Sequence, residues 1–189
     1  MQQGVPTAED AAAPLYRRVL GERYAVLPAA IRRLHEPGRG LVARGRCEVE
    51  RGRGIVPRLL GLALGLPAAG EDVPVELRIT VRGGVETWVR RFGGRPLVST
   101  QEASGPGRVV ERLGPLGLAL EVRASPAGLD LVARGATLLG VPLPRVLAPR
   151  IEARERAEGD RFRFEVAVDL PPLGRLVRYG GWLRRDGAG

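Results

Sequence analysis

The chain has 189 residues, 44% of them hydrophobic and 4% aromatic, with a formal net charge of +9. That is enough chain for one domain with a mainly aliphatic core, and it excludes an intrinsically disordered polypeptide. All thirty basic residues are arginine, and they alternate with apolar residues as on the solvated face of a sheet, so the charge alone does not argue for nucleic acid and no nucleic-acid partner is expected.

Residues 1–13 read as a loose tail. Pro14 suits a first helical turn, and Leu15, Val19 and Leu20 give the helix that follows an apolar side until Gly21 interrupts it. A second helical piece spans 28–35, with Leu27, Ile31 and Leu34 at helical spacing and Pro37-Gly38 as its stop. Residues 41–51 alternate, so Leu41, Ala43, Gly45, Cys47 and Val49 face one way on a half-buried strand. Residues 55–66 (IVPRLLGLALGL) are apolar nearly all round and too short to span a bilayer. They predict a short helix that is buried or caps an opening, followed by a loop over 67–72.

Residues 75–101 (VELRITVRGGVETWVRRFGGRPLVSTQ) are the most legible stretch. Gly83-Gly84 and Gly93-Gly94 separate strand-like runs, and glycine accepts the positive φ that two-residue hairpin turns require. Two tight hairpins then fix a register. Val81 faces Glu86, Ile79 faces Trp88, Leu77 faces Arg90 and Val75 faces Phe92; Arg90 then faces Leu97, Trp88 faces Ser99 and Glu86 faces Gln101. Directly paired residues share a face. One face therefore carries Leu77, Ile79, Glu86, Trp88, Arg90, Phe92, Ser99 and Gln101, beginning as core and becoming mixed. A dry core rejects unpaired charge, whereas a partly hydrated cavity accepts it. These eight residues are the candidate ligand-binding set, with a Glu86–Arg90 ion pair as the bland reading.

After a turn near 104–107, strands are predicted at 108–113, 116–124 and 129–139, the last losing its alternation near Gly135. Three prolines bar 141–149 from being a central strand or a regular helix. Residues 150–157 and 161–170 form a hairpin around Glu158-Gly159-Asp160, with Phe162, Phe164, Val166, Val168 and Leu170 on the buried face. A last strand spans 176–183, where Gly180-Gly181 suggests a bulge or bend, and 185–189 is a tail.

About nine or ten strands after a helical start predict a mainly β fold, a strongly curved antiparallel sheet or β-barrel, lipocalin-like in general shape. It forms a single domain over 14–184 with flexible tails at 1–13 and 185–189. The alternative is an α+β helix-grip fold, which needs a long C-terminal helix that the sequence does not provide.

One histidine and one cysteine exclude zinc-ligand spacing and an intrachain disulfide, and there is no phosphate-binding glycine motif. No metal, cofactor or catalytic residue is assigned, and His35, at a helix end, reads as a capping or surface residue. Arg58, Arg145 and Arg175 each sit in an apolar connection (PRLL, PRVL and GRLV). Gathered at one end of a barrel, they would form a rim suited to an amphiphile or a membrane surface. With no signal-peptide pattern and no apolar run of about 18 residues, the expectation is a bacterial cytoplasmic protein.

In order and spacing, the stretches LYRRVLGERYAVLPAAIRRLH, RCEVERGRGIVPRLLGLALGLPAAGEDVPV, WVRRFGG, LLGVPLPRVLAPRIEARE and RFRFEVAVDLPPLGRLVRYGGWL resemble a bacterial family known only as domain of unknown function four-one-six-six. That family also occurs fused C-terminal to saccharopine-dehydrogenase-like Rossmann proteins. The resemblance implies no activity and no catalytic residues; it implies a Rossmann-type oxidoreductase as one candidate partner. The residues themselves point first to binding a hydrophobic or amphiphilic small molecule as a non-catalytic carrier, sensor or accessory module. An enzyme using carboxylate and arginine groups in the same cavity, or a docking module for a Rossmann-type partner or an anionic surface, are the alternatives.

Overall fold

The structure is a computed structural model that describes residues 13–38, 40–171 and 173–186. Most of the two expected tails lies outside the described residues. Arg185, however, closes the last strand and donates a hydrogen bond to the Arg33 carbonyl.

Two short helices, α1 (Leu15–Leu20) and α2 (Ala29–Leu34), flank a 3-10 turn (Gly21–Val26). Eleven strands follow: β1 (Gly40–Arg51), β2 (Gly70–Arg82), β3 (Val85–Phe92), β4 (Arg95–Gly105), β5 (Arg108–Leu113), β6 (Leu116–Ser125), β7 (Gly128–Leu138), β8 (Val141–Pro142), β9 (Arg150–Glu158), β10 (Arg161–Leu170) and β11 (Gly174–Arg185). Helix α3 (Ile55–Ala63) connects β1 to β2.

The strand order β6-β5-β4-β3-β2-β1-β11-β10-β9-β7 is closed by pairing of β6 with β7, giving a ten-stranded antiparallel barrel. Closure removes the open edges that a long meander would expose. The two-residue β8, which ends in Pro142, pairs only with β7, as suits an edge position. Among the described residues there is no long C-terminal helix, so the helix-grip alternative does not apply.

The register of β2, β3 and β4 is the one read from the two Gly-Gly turns, residue for residue. All four turn glycines have positive φ. Elsewhere bulges interrupt the ladder, between Cys47 and Val49, Ala103 and Gly105, Ala119 and Leu120, and Val168 and Asp169. Such bulges increase local twist and help a sheet coil onto itself.

Three local expectations change. Residues 67–72 are not all loop, because β2 already pairs at Gly70 beyond the irregular Asp72. Glu158 belongs to a strand and pairs with Arg161, leaving Gly159-Asp160 as the turn. Gly180 and Gly181 form neither bulge nor bend; both pair in regular register with β1 and β10. They are needed for close approach, since a Cβ on Gly181 would lie 2.1 Å from the Arg46 carbonyl oxygen.

The barrel's two ends differ. At one, α1 lies against the β2–β3 and β4–β5 turns, where Arg18 donates to the Gly84 carbonyl and the Gly107 N–H donates to the Val19 carbonyl, and α2 lies against β9 and β10. Leu15, Tyr16, Val19, Ile31 and Leu34 join the barrel core and plug this end. At the other end lie α3 and the 139–149 connection, tied to the β5–β6 turn by the Leu139 N–H donating to the Pro115 carbonyl.

Candidate functional site

Inside the barrel, below α3, is a cavity of about 310 Å³. Its wall is mostly aliphatic: Val75, Leu77, Leu97, Leu118, Leu120, Leu131, Val168 and Leu176 from the strands. Leu60, Leu64, Leu143 and Leu147 from the two upper connections join them. Phe92, Phe162, Phe164 and Tyr179 add an aromatic side, with Phe92 and Tyr179 edge to face at 5.1 Å between ring centroids. The inward residues Phe164, Val166 and Leu170 are only half-buried although they point into the barrel, because they face this space rather than a packed core.

One side of the cavity is polar. Arg90 donates to Ser99 Oγ at 2.8 Å and to Glu111 Oε1 at 3.2 Å, while the Ser99 hydroxyl donates to Glu111 Oε1 at 2.6 Å. The guanidinium also lies 4.9 Å from the centroid of the Trp88 ring. Burial alone would lower the Arg90 pKa, but the Glu111 carboxylate beside it leaves it raised, so Arg90 stays charged. Nearer the plugged end, the Tyr16 hydroxyl donates to Gln101 Oε1 at 2.9 Å. Burial pushes the Tyr16 phenol well above its ordinary value, and nearby Glu155, Glu111 and Glu86 push it further, so it remains a neutral donor. Burial likewise raises Tyr179 to about 12.

His35 is fully buried, against its expected place as a capping or surface residue. It follows α2 one turn after Ile31, on the helix face that lies over the barrel end, so it points into the protein. Its Nε2 lies 2.6 Å from Glu155 Oε2, and its ring packs tilted by 46° against Tyr16 at 4.0 Å between centroids. Glu155 also reaches the cavity wall.

The expected Glu86–Arg90 ion pair does not form. Arg90 pairs with Glu111, and Glu86 turns toward the helical plug, where its carboxylate accepts the Leu15 N–H at 3.3 Å and the Trp88 Nε1–H at 3.0 Å. Burial raises the Glu86 pKa above its ordinary value, only partly offset by these hydrogen bonds and by His35 and Arg18 nearby.

Of the eight residues singled out from the double hairpin, Leu77, Trp88, Arg90, Phe92 and Gln101 border the cavity. Ile79, Glu86 and Ser99 are buried without bordering it; Ser99 holds Arg90 and Glu111 from behind. Arg58, Arg145 and Arg175 are exposed, and Arg175 pairs with Asp169. All three stand at the barrel end that carries α3, on α3, in the 139–149 connection and at the start of β11, without entering the cavity wall.

Four polar wall residues were not anticipated: Tyr16, Glu111, Glu155 and Tyr179. Tyr16 was legible from its helical spacing to Val19 and Leu20. Glu155 was legible too, because a two-residue Gly159-Asp160 turn sets it opposite the inward Phe164.

A broader depression of about 930 Å³ lies on the outer wall over Gly180 and Gly181. It is open to solvent and bordered by charges that compensate one another, such as Arg178 with Glu165 and Arg46 with Asp72. The interior cavity is therefore the stronger candidate site. Among the described residues no cluster of acidic, histidine and cysteine side chains could hold a metal ion. No helix among them is long and apolar enough to cross a membrane.

Comparison with known proteins adds little chemistry. Residues 27–183 match the family described as Domain of unknown function (DUF4166), and the chain belongs to that family. A search of curated proteins finds no match. Among solved structures, the chain is similar to the Rv2717c protein of M. tuberculosis, with 12% identity, 85% of this chain and 99% of that chain covered, and a TM-score of 0.44. That likeness is too loose to bear on function.

Proposed function

We propose that this DUF4166 domain binds a hydrophobic or amphiphilic small molecule inside its barrel and acts as a non-catalytic carrier, sensor or accessory module. The observation that carries this reading is the partly open interior space of about 310 Å³, walled by aliphatic side chains with a few convergent polar groups on one side. Small-molecule sites have this character.

The polar groups suggest the ligand's chemistry. Arg90 is already neutralised by Glu111, so the site has no spare cation for an acidic head, and Glu155 on the same wall would repel one. Tyr16 occupies Gln101 Oε1 and leaves the Gln101 amide nitrogen as a donor. The best fit is an apolar body with a neutral hydrogen-bonding end, a hydroxyl or carbonyl, directed at Gln101 and Glu155. An acid–base enzyme is the weaker reading, because the Glu86 carboxyl is committed to Leu15 and Trp88 and does not border the cavity.

Native mass spectrometry of the purified chain should reveal a bound small molecule, and titration with the uncharged apolar dye Nile red should give enhanced fluorescence. Leu131→Trp, which fills the cavity from β7, should abolish both while leaving the circular dichroism spectrum unchanged. A parent protein that carries no ligand and binds no probe, or a filled variant that binds as well as the parent, refutes the proposal.

A further inference from the structure

Of the eleven large apolar side chains exposed among the described residues, nine lie in the segments 55–62 and 138–147. Ile55 is 75% exposed, Leu62 67%, Leu139 80% and Val146 66%. Isolated apolar side chains on a surface need no explanation, but a concentration at one end of a barrel does.

The same end is cationic. Arg53, Arg58 and Arg145 lie in these connections, and no carboxylate occurs over 52–69 or 139–149. None of the three forms an ion pair among the described residues. Arginines along the barrel wall, such as Arg44, Arg123 and Arg178, do. The surface is also continuous with the cavity, because Leu60 of α3, Leu64 just after it, and Leu143 and Leu147 of the second connection roof it from the inside.

We propose that this end of the barrel docks on an anionic lipid bilayer. Its outward apolar side chains enter the boundary between headgroups and acyl chains, and Arg53, Arg58 and Arg145 meet the lipid phosphates, which guanidinium groups bind in bidentate fashion. The cavity mouth then faces lipid, and an apolar ligand passes between bilayer and barrel without crossing water. A second copy fits this surface poorly, since face-to-face packing would set three uncompensated arginines against three more. Docking goes beyond the cavity reading and does not depend on it; only the ligand's passage rests on that reading.

The test is co-sedimentation of the full chain with vesicles of phosphatidylcholine alone and with vesicles in which about a third of the lipid is phosphatidylglycerol. Docking predicts strong partitioning to the anionic vesicles only, weakened by added salt. Arg58→Ala with Arg145→Ala should lower partitioning about 25-fold, at about fivefold for each arginine near an anionic surface. Ile55→Gln with Leu62→Gln should lower it about tenfold. All four side chains are exposed, so thermal melting should not change. The proposal is overturned if the folded parent ignores anionic vesicles, or if these variants leave partitioning unaltered. A parent that ignores vesicles but self-associates in sedimentation equilibrium, with the apolar variant restoring a monomer, assigns the surface to protein contact instead. Probe binding measured without vesicles reads the cavity separately. Docking with no probe binding refutes the cavity reading alone, and probe binding with no docking refutes this one alone.

Discussion

The buried contact between His35 and Glu155 makes a sharp stability prediction. His35 is wholly buried and Glu155 is 8% exposed, and their 2.6 Å contact joins the helical plug to β9, 120 residues along the chain. His35→Phe keeps a ring against Tyr16, so the aromatic contact at 4.0 Å largely survives. What it removes is a hydrogen bond to a carboxylate, worth about 1.5–3 kcal/mol, and it strands the Glu155 oxygen in a mostly apolar surrounding. Breaking one side of a buried pair in this way costs roughly 3–5 kcal/mol, and the lower end applies because Glu155 reaches a cavity that water can enter. The expected loss is therefore about 3 kcal/mol. Glu155→Met, which strands the ring nitrogen, should cost a similar amount. The double variant should cost no more than either single change, because no polar group is then left behind, giving a coupling of about 3 kcal/mol. Urea unfolding followed by tryptophan fluorescence measures all three variants, since the Trp88 ring is 5.7 Å from the His35 ring. Additive losses in the double variant would show that the two side chains do not act as a pair.

Two other perturbations test the wall and the plug. Burial holds the folded Glu86 pKa above its unfolded value, so this group favours the fold most below the ordinary carboxylate range, and that contribution is lost as pH rises through the raised folded value. Glu86→Gln should flatten the fall in urea midpoint over that window, and a variant with the parent's pH profile would assign the dependence to another group. Gly181→Ala places a Cβ 2.1 Å from the Arg46 carbonyl oxygen and should cost about 2–3 kcal/mol by forcing β1 and β11 apart, measured as a lowered urea midpoint at unchanged slope.

The β architecture was legible where turn chemistry was unambiguous. Gly83-Gly84 and Gly93-Gly94 allow only tight turns with positive φ, so three strands came out in register. Closure was not legible to the same degree. It depends on β1 meeting β11 at the far end of the chain and on β7 meeting β9 across the apolar 139–149 connection, and no local signal announces either pairing. His35 was misplaced for a related reason. A helix end normally meets water, but α2 ends against the barrel's interior, and only the Ile31–His35 spacing hinted at it.

Glu111 shows why the polar wall could be read only in part. If the turn at Pro106-Gly107 is a simple two-residue hairpin, Gly105 faces Arg108 and the count carries Gln101 opposite Arg112, leaving Glu111 outside the barrel. Gly105 does face Arg108, but the register shifts between Ala103 and Gly105, so Gln101 meets Glu111. One extra residue in a strand moves every later side chain to the opposite face. The bulge at Ser104 thus brings Glu111 inside, where it takes Arg90 as its partner, and Glu86 is left to the Leu15 amide and the Trp88 indole. The mixed character of the face carrying Glu86, Arg90, Ser99 and Gln101 was a true signal of buried polar groups. Which carboxylate neutralised which cation rested on a single backbone irregularity, and that pairing determines the neutral head proposed for the ligand.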